Sequence, residues 1–194
     1  QASVGDLRPV TALPGRHNWQ NAAAAYAVAR LMGLAPEPII AGIATFPGLP
    51  HRQELVGEIG QIAYVNDSKA TNSEAAARAL QCYDAVHWIA GGQFKEETLA
   101  ALDPHIGRVR GAYLIGEAAE AFAQTLGETP HVICGDLETA VARAAAEAQL
   151  GEAVLLSPAC ASFDQFKSFE HRGDAFRALA RRAAGLPDLQ EDPA

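Results

Sequence analysis

VLLSPACASFDQFKSFEHRG, residues 154–173, decides how this chain folds. The apolar run Val154-Leu155-Leu156 has the length and composition of a buried strand. It stops at Ser157-Pro158, where proline cannot extend a hydrogen-bonded ladder. Small residues lead to Ser162 and Gln165, which fit the S-x-x-Q capping box and predict a helix from about Phe163 to Ala184. Strand, tight loop and helix start would together offer N–H donors and partial positive charge, a place for a carboxylate or phosphate.

Upstream, short apolar segments alternate with helical periods. Leu55–Ile59 and Ile62–Val65 read as strands with Gly60-Gln61 as the hairpin turn. Strands follow at Ala85–Ala90, Ala112–Ile115, His131–Cys134 and Ala153–Leu156. The helices between them are expected at Ser73–Leu80, Glu96–Leu102, Ala118–Leu126 and Leu137–Leu150. That order calls for an α/β fold, a Rossmann-like, mostly parallel sheet flanked by helices, with right-handed crossovers. Before it, residues 1–14 read as irregular. Helices are expected at Asn18–Leu31, stopped by Gly33, and at Pro38–Thr45. Pro47-Gly48-Leu49-Pro50 is the best boundary between two domains. The tail Leu189–Ala194 is expected to fray.

Composition narrows the function classes. A net charge of −8 and a pI near 5.2 argue against a nucleic-acid or anionic-membrane surface. No apolar run approaches the length of a membrane span, and no signal-peptide pattern opens the chain. Cys82, Cys134 and Cys160 read as reduced thiols of a cytoplasmic protein. Neither they nor His17, His51, His87, His105, His131 and His171 have metal-ligand spacing, so no metal is assigned to these residues. The chain begins at Gln1, its single methionine is Met32, and it lacks a G-x-x-x-x-G-K-[ST] loop. A piece of a longer polypeptide is the expectation.

In such sheets ligands bind beyond the carboxyl ends of the strands. Three segments are expected there: Asn66 to Asn72, Gly91 to Lys95, and Ser157 to Ser162. Against twelve arginines the chain has three lysines, Lys69, Lys95 and Lys167. Two sit in those segments and the third in the expected last helix. Each signal has a plainer reading. Asp67, Ser68, Thr71 and Asn72 suit turns and caps, and Asn18 and Asn21 suit a helix start. Phe163, Phe166 and Phe169, three apart, suit a core face.

Their order along the chain says more. G-R-H-N-x-x-N at 15–21, F-P-G-L-P-H-R at 46–52, N-D-S-K-A-T-N at 66–72, G-G-x-x-K at 91–95 and L-S-P-A-C-A-S-F-D-Q-F-K at 156–167 together resemble the Mur ligases. The resemblance runs from about Leu13 to Ala184. The segments at 67–72 and 157–166 are most similar to the member that adds D-glutamate.

The resemblance implies that residues 1–48 end a central ATP-binding domain and that 49–194 form the C-terminal ligase domain. It implies an ATP-dependent acid–amino-acid ligase of peptidoglycan synthesis, cytoplasmic and monomeric. That enzyme joins D-glutamate to UDP-N-acetylmuramoyl-L-alanine through an acyl phosphate, with Mg2+ held mainly by groups outside this chain. By resemblance Asn18, Asn21, Arg52, Asp67 and Lys69 serve ATP. Thr71, Lys95, Ser162, Phe163 and Phe169 serve D-glutamate, and His51 could assist near the hinge. No other catalytic residue is assigned, and the chain alone is expected to be inactive. A sister ligase for another amino acid and a stand-alone module binding an acidic metabolite are the alternatives. A dinucleotide-dependent oxidoreductase would need a G-x-G-x-x-G after a strand, and the chain has none.

Overall fold

The structure, a computed structural model, describes residues 6–8, 10–94 and 99–187. Contacts divide the chain into Gln1–Leu49 and Pro50–Ala194. The first unit carries α1 (Arg16–Leu31) and α2 (Pro36–Ala44), which bury Ala22, Tyr26 and Ile39. Both helices begin two residues earlier than the periodicity suggests. Pro36 occupies the first turn of α2, where its missing N–H costs nothing.

The second unit is built on six strands: β1 (Glu54–Ile59), β2 (Ile62–Asn66), β3 (Val86–Gly91), β4 (Val109–Ile115), β5 (His131–Gly135) and β6 (Ala153–Leu156). Gly60 and Gln61 both have positive φ, +56° and +62°, the geometry that lets a two-residue turn match the twist of β1 and β2. The sheet order is β1-β2-β6-β3-β4-β5. Only the β1–β2 pair is antiparallel.

Alternation along the buried strands sorts side chains onto two faces. Val86, Trp88 and Ala90 of β3 and Leu155 of β6 share a cluster with Ala76 and Leu80 of α3 (Ser73–Leu80) and Phe122 of α4 (Ala119–Leu126). Ile89, Val154 and Leu156 point the other way. They join Ala140 of α5 (Leu137–Glu147) and Phe176 of α6 (Phe169–Ala183). Each fully buried large side chain contributes roughly 1.5–3 kcal/mol, so both helical layers are firmly attached. The chain moves from β2 across to β5, then returns through α5 to β6 in the middle of the sheet. Reversing direction puts a right-handed connection on the opposite face, which is where α5 lies.

Three elements depart from the sequence expectations. Where an α-helix is expected over Glu96–Leu102, the described part of the segment after β3 is a 3₁₀ helix, Ala100–Arg108. Pro104 within it has no N–H to give, and residues 95–98 lie outside the described set. Helix α5 ends at Glu147, because Ala148 turns to extended backbone and Leu150 is exposed. The last helix starts at Phe169, not Phe163. Ser162 and Gln165 form no capping box; the N-cap is Ser168, whose hydroxyl accepts from the N–H of His171 at 3.3 Å. Residues 163–168 make one turn, with Phe166 N–H donating to Ser162 O at 2.7 Å. Gln165 then turns its amide toward the Gly135 carbonyl of β5 instead of back along a helix.

Candidate functional site

The carboxyl ends of β2, β6 and β3 lie side by side, and the three loops that leave them are stitched together by backbone. Asp67 N–H donates to Leu156 O at 2.8 Å, and Gly91 N–H to Pro158 O at 2.9 Å. Gln93 and Ala161 exchange two bonds of 2.8 and 3.0 Å. The glycine pair is needed for this approach. A Cβ on Gly92 would stand 2.3 Å from Ala161 O, and one on Gly91 would stand 2.1 Å from Ile115 O.

Beneath the loops lies Arg172, a side chain the sequence reading passed over. It is 0% exposed. Its guanidinium donates to Ser68 Oγ (3.0 Å), Ser68 O (3.0 Å), Cys160 O (3.0 Å) and Ala161 O (3.3 Å). No carboxylate pairs with it among the described residues, and desolvation pulls its pKa down to about 10. Ser68 Oγ in turn donates to Phe169 O at 2.8 Å. One buried cation thus fixes the loops after β2 and β6 against the start of α6. A signal for it existed: positions 172, 176 and 180, spaced four apart, make a buried stripe with an arginine at the head of Phe176 and Ala180.

Asp67 is 7% exposed and accepts from Gln53 N–H at 3.1 Å and from Ser157 Oγ at 2.9 Å. Burial pushes its carboxyl up to about 7, opposed by those two hydrogen bonds and the charge of Arg52. Lys69 lays its ammonium 3.7 Å from the centroid of the Phe169 ring. Its backbone N–H donates to His51 O, and its carbonyl accepts from Thr71 N–H. Ser162 is 1% exposed, and its hydroxyl has no hydrogen-bond partner among the described residues.

The structure therefore gathers Asp67, Lys69, Thr71, Ser162 and Phe169 around one rim. Arg52 is exposed beside buried Gln53. Phe163 is 61% exposed, whereas Phe166 packs into the α5–α6 side of the core, so the three phenylalanines do not share one face. Lys95 lies outside the described residues. Asn18 and Asn21 belong to the first unit, where Asn18 Nδ2 donates to Pro14 O at 2.8 Å and Asn21 is exposed.

His51 is a buried wedge. Its φ is +61°, its N–H donates to Glu54 Oε2 at 2.9 Å, and its Nδ1 lies 3.1 Å from Asn66 Nδ2. The ring fills the space above Gly173, where a Cβ would come within 2.2 Å. These contacts suit a positioning part better than proton transfer in the open. Among the described residues no group of three or more His, Cys, Asp or Glu side chains could hold a metal ion. Nor is any described helix long and apolar enough to cross a membrane.

The stretch of chain that forms most of this sheet and its loops matches a known family. The profile described as "Mur ligase, glutamate ligase domain" covers residues 51–160, and the chain belongs to that family. It is 57% identical to the UDP-N-acetylmuramoylalanine–D-glutamate ligase of Paramagnetospirillum magneticum, over 92% of this chain and 40% of that protein. The ligase of the same name from Rhodospirillum rubrum is 56% identical, over 95% of this chain and 41% of its own length. The chain thus spans about two fifths of these relatives. Among solved structures, MurF ligase from Thermotoga maritima in complex with ADP superposes with a TM-score of 0.62. It is 18% identical and covers 88% of this chain and 39% of that one. UDP-N-acetylmuramate-alanine ligase MurC from the same organism gives a TM-score of 0.60 at 14% identity, covering 84% and 37%. At these identities the two structures speak for the fold alone.

Proposed function

We propose that this chain is the C-terminal part of an ATP-dependent ligase of peptidoglycan synthesis that joins D-glutamate to UDP-N-acetylmuramoyl-L-alanine. Residues 1–48 are the end of its central ATP-binding domain, and 49–194 the domain that receives the amino acid and closes over the nucleotide. ATP phosphorylates the L-alanine carboxylate, the amine of D-glutamate attacks the acyl phosphate, and phosphate leaves as the amide forms. Mg2+ enters this reading with ATP on the strength of the family resemblance.

The residues divide by chemistry. Arg52 and Lys69 bring positive charge to the phosphates, Asp67 accepts from ribose hydroxyls, and Asn18 and Asn21 contact the nucleotide from the first unit. Thr71, Lys95 and Ser162 receive the carboxylates of D-glutamate. The backbone near Phe163 adds donors, and the Phe169 ring forms an apolar wall. His51 positions the turn that carries Arg52, and the fragment alone has no turnover.

The observation that carries this reading is Ser162. Burying a hydroxyl without a partner costs on the order of 1–3 kcal/mol, a cost that a bound carboxylate would remove. The full-length ligase should convert D-glutamate and reject L-glutamate, L-alanine and diamino acids when each is offered with ATP and UDP-N-acetylmuramoyl-L-alanine. Preference for any of those competitors would overturn it.

A further inference from the structure

Lys69 and Phe169 belong, in the reading above, to different subsites: the cation to nucleotide phosphates, the ring to the amino acid. In the structure they touch. The ammonium lies over the ring at 3.7 Å, and the two backbones are joined beside it by Ser68 Oγ donating to Phe169 O. The backbone of Lys69 is pinned at both ends of its peptide, by His51 O and by Thr71 N–H. Only its side chain is left to move.

We propose that the Lys69–Phe169 contact links the two subsites, so that filling the nucleotide site uncovers the amino-acid site. The inference rests on the functional reading above and adds the coupling. With no phosphate near, Lys69 covers the face of Phe169 that would otherwise be offered as an apolar wall. A polyphosphate is the stronger partner for an ammonium than an aromatic ring. It draws Lys69 off the ring and bares that face. Both ligands favour the same position of one side chain, and such linkage is positive and reciprocal. His51 sets its ring edge-on to Phe169, with centroids 6.1 Å apart, and holds the ring in place when the cation departs.

The experiment is D-glutamate binding to the full-length ligase by calorimetry, with and without a non-hydrolysable ATP analogue. The analogue should tighten D-glutamate about two- to fivefold, the worth of an exposed cation–π contact. Lys69→Met and Phe169→Leu should each abolish that gain, and the double variant should lose nothing more. Equal tightening in wild type and both variants would overturn the linkage, as would an analogue that weakens D-glutamate. The second result would mean that Lys69 serves the amino acid's carboxylate. Failure of the functional reading looks different: neither substitution changes the affinity for either ligand. Thermal melts within a few degrees of wild type show that the variants are folded.

Discussion

Ser168 accepts from the N–H of His171 at 3.3 Å, while the hydroxyl of Ser162, in the same loop, meets no partner among the described residues. The two serines separate the fold from its use. We predict that Ser168→Ala costs about 1 kcal/mol of stability as a lost cap and leaves the Michaelis constant for D-glutamate unchanged. Ser162→Ala should do the reverse. Chemical denaturation of the unliganded variant should find it more stable than wild type, by up to the roughly 1–3 kcal/mol that the unpartnered hydroxyl costs. The Michaelis constant should rise roughly tenfold or more, the worth of a hydrogen bond to a charged group. Loss of stability with unchanged kinetics would return Ser162 to the scaffold. Asp67 supplies a pH test. Burial raises its carboxyl to about 7, so the protonated form is favoured in the fold. Its contribution to stability is full below the ordinary value of 3.8 and is lost as pH rises through about 7. Urea unfolding across that window should show a slope that Asp67→Asn removes. Because Arg52 opposes the shift, Arg52→Ala should push the carboxyl higher still in carbon-detected NMR titrations.

Among the elements, α6 shows what the sequence discloses and what it hides. Its stop before Gly185 follows from the end of the apolar period, and the alternation of β3 and β6 follows from Val86, Trp88, Leu155 and their neighbours facing opposite layers. Its first turn departs from the sequence expectation because Ser162 and Gln165 match a cap only locally. The tertiary pull of Gln165 toward Gly135 outweighs that propensity. Arg172 escapes the sequence because a charge on an apolar stripe has no meaning there until its acceptors, among them Ser68 more than a hundred residues away, are known. Arg172→Ala should cost about 3 kcal/mol or more, since it strands buried carbonyls and opens a void. A loss below 1 kcal/mol in denaturant titration would mean that the loops are held by other contacts. At the amino edge of the sheet, Glu152 accepts from His87 Nε2 at 2.8 Å and from Gln149 N–H at 2.8 Å. Burial would raise its carboxyl, but these partners together keep it below the usual carboxylate range. Stability from Glu152 is therefore present above the unfolded value near 4.5 and lost as pH falls through the lower folded value. Glu152→Gln should flatten that acid limb in unfolding curves.

For the whole molecule, a chain of net charge −8 concentrates Arg52, Lys69 and buried Arg172 beneath or beside one sheet edge. Sheet order explains why there. β6 returns to the centre between β2 and β3, so the loops after these strands leave from neighbouring positions and can be tied to one another. That convergence was legible from alternating strands and helices together with the positions of Asp67, Gly91-Gly92 and Ser162. The buried guanidinium beneath it was not, because it depends on contacts no local pattern encodes. The most direct test is an amide NMR titration of the labelled 194-residue chain with D-glutamate. A D-glutamate rim predicts saturable shifts confined to residues 67–71, 91–95 and 160–169, much smaller with L-glutamate. Shifts scattered over other surfaces, or identical responses to the two enantiomers, would contradict it.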